Sequence, residues 1–305
     1  MEISIMIEGQ MGLTWPRWQR LAQAAEDLGF YGLFRSDHFV SPSGPYDDAI
    51  ETWTSLAWLA GNTRRIAFGP LVSPISFRDP RILAWQAASV DALASGRLRL
   101  GLGAGWQERE HEAFGFDLLD TNERFKRFED GIEVVRKLTR SDEPVSFDGE
   151  YYSLKDALLC PRSPRADGPP IVIGGNGPKR TLPLAAKYAD EWNASGLNDA
   201  GFADRMPILD ELLTQEGRDP KSVKRTLMTR GLVAATQDEL MKKATADDIE
   251  RIQGRDAVVG TPNEVVDILG KKAELGVEGV MLQWLNPDDI SGLEVIAEKI
   301  MPQLG

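Results

Sequence analysis

Short apolar runs alternate with longer amphipathic segments along the chain. Each run has strand length and is rich in Ile, Val and Leu, whereas the longer segments repeat their apolar positions every three to four residues, as surface helices do. The predicted strands are residues 2–8, 32–38, 66–69, 97–103, 170–174, 191–194, 224–235 and 279–284. The predicted helices are residues 14–29, 53–60, 82–93, 122–138, 179–188, 203–216, 261–276 and 290–300. Eight strand–helix units predict an α/β fold, a TIM (β/α)8 barrel of about 250 residues plus insertions.

Three stretches interrupt the alternation and predict the insertions. Residues 145–153 have the pattern of a hairpin around Asp148-Gly149, and the Pro-rich segment from Cys160 to Pro170 predicts irregular structure. The polar residues 236–256 predict a mobile helical excursion over the sheet. Because no change in composition marks a boundary, we predict one barrel domain over residues 1–305 rather than two domains.

The charge balance is acidic, since 35 Lys and Arg residues stand against 47 Asp and Glu residues and give a net charge of −12. This balance argues against a nucleic acid as partner. No run of eighteen apolar residues is present, so we expect no membrane span. Cys160 is the only cysteine, which excludes an intrachain disulfide, and no secretory leader pattern is visible. We therefore expect a cytoplasmic location.

Histidine is also rare, because only His38 and His111 occur. Multi-histidine metal sites are thereby excluded, and we expect no metal. A mechanism that uses an imidazole as acid or base must use one of these two residues.

In a TIM barrel the active site lies at the carboxyl ends of the strands. Ser36-Asp37-His38-Phe39 follows the second strand and places an imidazole next to a carboxylate. The alternative interpretation is an Asp that caps backbone amides beside a hydrogen-bonded His. The stretch from Gly69 to Pro74, after the third strand, contains one Gly and two Pro residues. This composition is typical of a bulge, of close approach of a ligand to the backbone, or of a simple strand exit.

Two further strand ends are rich in glycine. Gly101–Trp106 partly matches a dinucleotide-binding fingerprint, but Trp106 stands where the third glycine is required, so a Rossmann interpretation fails. Gly174–Lys179 lies between a strand and a helix amino terminus, where free backbone amides and the helix dipole favour a phosphate over a mere tight turn. No lysine for a Schiff base and no carboxylate cluster for a metal occurs at a strand end. Glycine-lined walls with a phosphate cradle therefore predict a cofactor that supplies its own chemistry.

Several of these segments together resemble one known family, the bacterial luciferase-like superfamily, and within it the branch that depends on the deazaflavin coenzyme F420. The resemblance spans nearly the whole chain in the same order. The segments that carry it are Ser36–Phe39, Leu71–Pro74, Phe77–Pro80, Gly96–Trp106, Glu108–His111, Phe114-Gly115, Ile173–Gly175 and Ala189–Trp192. The resemblance implies a luciferase-like TIM barrel with insertions, usually dimeric, that holds a flavin or deazaflavin at the carboxyl ends of its strands.

The resemblance also implies roles for single residues. His38 would be the proton donor or acceptor and Asp37 would orient it near the ring. An unusual cis peptide bond that presses on the ring would fall at Gly69-Pro70 or Pro70-Leu71. The implied cofactor-binding residues are Asp37, Gly69, Pro70, Leu71, Gly103, Ala104, Gly105, Trp106, Gly174, Gly175, Asn176, Gly177 and Lys179. The basic residues that could meet an anionic cofactor tail are Arg35, Arg78, Lys179 and Arg180.

One position departs from the family pattern. Sugar-phosphate dehydrogenases of the branch carry a glutamate acid where this chain has Trp106, so we do not expect that activity here. Trp106 would instead line the substrate pocket or pack against the ring.

The leading hypothesis is hydride transfer between coenzyme F420 and a small organic substrate, by a homodimer. The first alternative is a monooxygenase that uses reduced FMN and oxygen. The second alternative is a non-catalytic flavin-binding protein, against which the Asp37-His38 pair argues.

Overall fold

The computed structural model describes residues 1–304, so Gly305 of the predicted domain lies outside the described residues. The strands are β1 Glu2–Ile7, β2 Gly32–Arg35, β3 Ala67–Pro70, β4 Ser73–Pro74, β5 Leu100–Gly103, β6 Val145–Asp148, β7 Ser153–Ala157, β8 Ile171–Gly174, β9 Glu191–Ser195, β10 Lys224–Val233, β11 Val258–Gly260 and β12 Gly279–Gln283. The helices are α1 Trp15–Asp27, α2 Thr52–Asn62, α3 Pro80–Leu93, α4 Glu108–Phe114, α5 Thr121–Arg140, α6 Thr181–Tyr188, α7 Asp199–Gln215, α8 Gln237–Lys243, α9 Ala246–Gln253, α10 Pro262–Glu274 and α11 Ile290–Val295. A π-helical turn, Ile296–Ile300, continues α11.

The parallel strands form a sheet in the order β3-β2-β1-β12-β10-β9-β8-β5-β4, and β11 pairs with β10. A bridge between Phe68 and Leu98 brings the two edges of the sheet together. There the N–H of Arg99 donates to the carbonyl of Phe68 at 2.8 Å. Strands β3 and β4 are two parts of one barrel strand, separated only by Leu71 and Val72. Since each predicted strand occupies a place in this barrel, the predicted TIM barrel is confirmed.

The side chains of β1 pack alternately on the two sides of the sheet. In β1, Ile3, Ile5 and Ile7 belong to the large apolar layer that includes Trp18 and Leu21 of α1. The intervening Met6 points to the other side of the sheet and packs with Phe34, Met281, Leu71 and Met228. This second cluster lies inside the barrel and forms an apolar floor beneath the carboxyl ends of the strands.

The structure differs from the sequence predictions in the end of one strand and in two short elements. Strand β2 ends at Arg35, so Ser36, Asp37 and His38 already lie in the loop that follows. Strand β11 and helix α4 were not predicted, since three and seven residues are too short to show a clear period.

The secondary structure predicted for the insertions is present, and residues 160–170 contain no helix or strand, as predicted. Strands β6 and β7 pair as an antiparallel hairpin. Helices α8 and α9 occupy the predicted excursion. No helix in residues 1–304 combines the length and the apolar character that crossing a bilayer requires.

Candidate active site

A cavity of about 530 Å³ opens at the carboxyl ends of the barrel strands. Its volume lies within the range of about 300–1,000 Å³ that is common for ligand pockets. All eight barrel strands or the loops directly after them contribute to its wall. Its lining residues include Met6, Glu8, Gln10, Ser36, His38, Leu71, Val72, Gly105, Trp106, Glu110, Gly174, Gly175, Asn193, Met228 and Gln283.

His38 lies on this wall and is held by a carboxylate that the sequence analysis did not assign. Its Nδ1 lies 2.8 Å from Oε1 of Glu110, on helix α4. Glu110 is only 1% exposed, and its other oxygen accepts the N–H of Phe39 at 3.0 Å. Because an ionised Glu110 accepts from Nδ1–H, the Nε2 atom of neutral His38 keeps its lone pair and can take a proton.

The surroundings of His38 favour its charged form. Burial by itself lowers the pKa of an imidazole, but the hydrogen bond and charge of Glu110 outweigh burial and raise the pKa of His38 above its ordinary value. Glu8 and Asp37 add weaker effects in the same direction. The indole of Trp106 meets the imidazole edge-on, with ring centroids 5.7 Å apart. His38, at the wall of the cavity, therefore holds its proton to a higher pH than a free imidazole does.

Asp37 does not orient His38, and that prediction is wrong. Its carboxylate accepts from Nε and Nη2 of Arg78, at 3.0 and 2.7 Å, and from Oγ of Ser73 at 2.7 Å. The side chain is buried and turned away from the main cavity. Ser36 and His38 both line the main cavity, whereas Asp37 between them does not. Successive side chains after β2 thus point in different directions, so adjacency in sequence does not bring the Asp37 carboxylate to the ring of its neighbour.

A polar network that was not predicted lines the same cavity as His38. Glu8 accepts from Nε2 of Gln283 at 2.6 Å and from Nε2 of Gln10 at 2.9 Å. Ser36 donates to Oε1 of Gln10 at 2.6 Å. The position of Glu8 directly after β1 was the available signal, because polar residues at barrel strand ends are candidates for the site.

Gly69 and Gly103, near the break between β3 and β4, leave space for the carbonyl of Arg99 and the side chain of Val72. A Cβ atom at Gly69 would lie 1.8 Å from the carbonyl oxygen of Arg99, and one at Gly103 would lie 2.5 Å from Cγ2 of Val72. Neither Gly69, Pro70, Gly103 nor Ala104 lines the main cavity, whereas Leu71, Gly105 and Trp106 do. Val72 occupies the space beside Gly103 and forms part of the cavity wall.

The predicted position of the cis peptide bond is wrong. The cis bond joins Leu71 to Val72. Gly69 and Pro70 still pair with Phe34 and Arg35 in regular strand register, so the chain leaves the strand only after Pro70.

The loop after β8 retains the features of an anion cradle. Gly174 and Gly175 line the cavity, and Gly175 has a φ of +122°, which favours glycine. Asn176 ties the loop to β9, because its Nδ2 donates to the carbonyl of Ser195 at 2.8 Å. Within residues 1–304, the backbone N–H groups of Gly177 and Lys179 donate to no protein acceptor. They lie before α6, where the helix dipole also favours an anion.

Three of the four basic residues expected near the cofactor are already engaged. Arg35 is fully buried, burial lowers its pKa to about 10, and it donates to Oγ of Ser55 and the carbonyl of Ile50, each at 2.8 Å. Arg78 binds Asp37 and Glu51, and Arg180 donates to Asn122. Lys179 is exposed and makes no side-chain hydrogen bond within residues 1–304. The described residues contain no cluster of three or more His, Cys, Asp or Glu that could hold a metal ion.

Comparison with known proteins agrees with this geometry. A family model described as luciferase-like monooxygenase matches residues 2–254. The F420-dependent glucose-6-phosphate dehydrogenase of Beutenbergia cavernae is 30% identical, over 92% of this chain and 90% of its own. The F420-dependent hydroxymycolic acid dehydrogenase of Mycobacterium tuberculosis is also 30% identical, over 93% of this chain and 83% of its own.

A structural comparison gives the same fold. Monooxygenase RslO1 of Streptomyces bottropensis superposes with a TM-score of 0.87 at 22% identity, over 100% of both chains. The family model and the F420-dependent relatives confirm the resemblance to luciferase-like proteins and to their F420-dependent branch. With a family model over most of its length and relatives matched almost from end to end, the chain belongs to the luciferase-like monooxygenase family.

Proposed function

We propose that this protein transfers a hydride between coenzyme F420 and a small organic substrate whose reacting group is an alcohol or the corresponding carbonyl. The observation that carries the proposal is the placement of His38 on the cavity wall with its Nδ1 on buried Glu110. Relatives that are 30% identical and are named F420-dependent dehydrogenases support the cofactor and the reaction class.

The cavity has a shape and chemistry that suit such a cofactor. Gly174, Gly175 and Val72 provide a wall with little side-chain bulk, on which a flat ring can lie. The free N–H groups before α6 and the side chain of Lys179 would hold the cofactor phosphate. When bound, the deazaflavin supplies the hydride acceptor or donor.

His38 would account for the proton that accompanies the hydride. When an alcohol is oxidised, its C–H bond gives up a hydride and its O–H bond gives up a proton, which Nε2 of neutral His38 accepts. In the reverse direction, protonated His38 donates that proton to the carbonyl oxygen. Glu110 keeps the ring in one orientation and stabilises the charged form in both directions.

The rival function is an FMN-dependent monooxygenase, which the description of the matching family favours. Both functions would use the same cavity, since either cofactor has a flat ring and a phosphate. The third hypothesis, a flavin-binding protein without activity, leaves the His38–Glu110 pair without a chemical purpose.

A parallel titration of the purified protein with F420 and with FMN tests the proposal. Quenching of its eight tryptophans reports binding, and Trp106 lies on the cavity wall. We expect selective binding of F420, followed by a change in F420 absorbance with a panel of alcohols and carbonyl compounds. Selective binding of FMN, with oxygen consumption, would instead show that the protein is a monooxygenase. Binding of F420 without turnover on any donor or acceptor would favour the non-catalytic flavin-binding protein.

We also propose that the protein works as a cytoplasmic homodimer. Helix α3 presents Ile82, Trp85 and Leu93 on one side, and these side chains are 52%, 53% and 58% exposed. Such an apolar stripe on an outer helix suits contact with a second copy of the chain. The single free Cys160 and the absence of disulfides suit a reducing compartment.

A further inference from the structure

The loop between β2 and α2 contains an exposed segment, residues 42–47, that borders the main cavity. Every residue of the segment is exposed, and Pro42 lines the cavity that contains His38. Within residues 1–304, no backbone–backbone hydrogen bond anchors the segment. Gly44 at its centre has a φ of +86°, and a Cβ atom there would meet nothing within 4 Å. The segment is therefore held in place by few contacts of its own backbone.

The same segment also borders a second cavity, of about 450 Å³, which Asp47 lines. His38 lines both cavities. Because there is a cavity at each end of the segment, the segment has space to move without displacing the packed core of the barrel.

Arg109, on helix α4, contacts both ends of this segment. Its Nη1 donates to the carbonyl of Ser41 at 2.9 Å, directly before the segment. Its guanidinium lies over the ring of Tyr46, 4.9 Å from the ring centroid. Tyr46 is 65% exposed. A hydrogen bond to a neutral carbonyl and a cation–π contact at an exposed ring are each weak, so together they hold the segment reversibly.

Helix α4 connects this segment to the proton-transfer pair. The residue after Arg109 is Glu110, which holds His38. Just before the helix, Nε2 of Gln107 donates to the carbonyl of Val40 at 2.8 Å. One short helix therefore holds the start of the loop, its exposed segment and the catalytic imidazole.

We propose that residues 42–47 are a lid over the main cavity and that Arg109 is the positioning residue that latches this lid closed. Since Pro42 is part of the cavity wall, release of the lid widens the entrance, and its return to α4 restores the wall. This inference goes beyond the proposed function, because the lid acts on any ligand of the cavity, whichever cofactor that is.

The first test measures the lid without a ligand. Cys160→Ser together with Ser43→Cys leaves one cysteine, in the lid, for a nitroxide spin label. In this labelled protein, Arg109→Gln should raise the ratio of mobile to immobilised label about tenfold, because it removes both latch contacts. Glu112→Gln, an exposed residue on the same helix, should leave the spectrum unchanged. Equal label mobility with and without Arg109→Gln would overturn the proposal.

The second test distinguishes a latch from a direct contact with the ligand. In stopped-flow binding of F420, Arg109→Gln should increase the association and dissociation rates by similar factors, since an open lid clears the path in both directions. Arg109→Lys keeps a cation near Tyr46 and should recover part of the slow exchange. An increase in the dissociation rate alone, with a matching loss of affinity, would show that Arg109 binds the cofactor and would contradict the latch.

Failure of the proposed function would be distinguishable from failure of the lid. If F420 does not bind, the proposed function is wrong, but the spin-label comparison still decides on the lid because it needs no ligand.

Discussion

The two histidines of the chain differ in their access to the cavity. His111 is 1% exposed, its Nδ1 lies 2.7 Å from the carbonyl oxygen of Gln107, and Phe77 packs against its ring. His38 lies on the cavity wall and leaves Nε2 without a partner in the described residues. Of the two histidines, only His38 can exchange a proton with a ligand in this cavity.

Replacement of His38 by Ala should lower turnover by about 10²-fold or more, because it removes the group that accepts or donates the proton. F420 affinity should change little, since the cofactor phosphate is held elsewhere. Steady-state rates and a fluorescence titration measure the two quantities separately. Undiminished turnover would remove His38 from the mechanism.

Replacement of Glu110 by Gln should shift the pH dependence to lower values. The negative charge of Glu110 raises the pKa of His38, so its removal lowers that pKa. In the direction of alcohol oxidation, activity should rise at a lower pH in the variant than in the unmodified enzyme. The profile of kcat/KM against pH measures this shift. Glu108→Gln, an exposed residue on the same helix, is the matched control and should leave the profile in place.

The same variant should also change the pH dependence of stability. A raised pKa in the folded state means that the pair stabilises the protein fully below the unfolded pKa, about 6.5, and that this contribution disappears as pH rises through the folded pKa. Glu110→Gln should therefore lose more stability at acidic than at alkaline pH. An equal loss of stability at acidic and at alkaline pH would show that the charge on His38 does not contribute to the stability of the fold.

At the scale of elements, the break between β3 and β4 shapes the site. The chain leaves the sheet for only two residues, which places Leu71 and Val72 on the cavity wall. Glycines on the adjacent strand β5 leave space for this excursion, because a Cβ at Gly101 would lie 2.1 Å from the carbonyl oxygen of Pro70. These glycines therefore position the cavity wall through packing.

Replacement of Gly69 by Ala should destabilise the fold by about 1–3 kcal/mol, because the new methyl group would overlap the carbonyl of Arg99 in the closing strand. Chemical denaturation measures the change in free energy of unfolding. Gly61→Ala is the control, since a Cβ at that helical position meets no atom within 4 Å and should stabilise by at most about 1 kcal/mol. Similar effects at the two positions would contradict the packing argument.

The loop before α6 should recognise the cofactor phosphate partly through charge. Lys179→Gln should weaken F420 binding about tenfold and leave the fold unchanged, because the side chain is exposed and makes no hydrogen bond. The tryptophan-quenching titration provides the measurement, and Lys242→Gln on α8 serves as the control. If the two variants bind F420 equally well, the phosphate lies elsewhere.

At the scale of the whole molecule, the exposed apolar stripe on α3 contrasts with the acidic character of the chain. Trp85→Glu should weaken self-association by at least about tenfold, because it places a charge in the centre of the proposed contact. Sedimentation analysis over a range of concentrations measures this change. Met241→Glu alters an equally exposed side chain on α8 and should leave the oligomer intact. A monomer at all concentrations in the unmodified protein would exclude the homodimer.

The sequence by itself determined the barrel and the approximate place of the site. Hydrophobic periodicity reports local burial, so all eight barrel strands could be located within a few residues. The same pattern placed His38 and the loop from Gly174 to Lys179 after strand ends, where barrel active sites lie. The identity of the cofactor came from resemblance to a family and not from this pattern.

Only the tertiary structure decided which side chains meet. The partner of His38 is Glu110, 72 positions away, rather than the adjacent Asp37, and the partner of Glu8 is Gln283, 275 positions away. Such contacts depend on how the barrel closes and on the direction in which each side chain leaves its loop. Local sequence patterns contain neither quantity, because periodicity records burial at a position and not the identity of its neighbour across the fold.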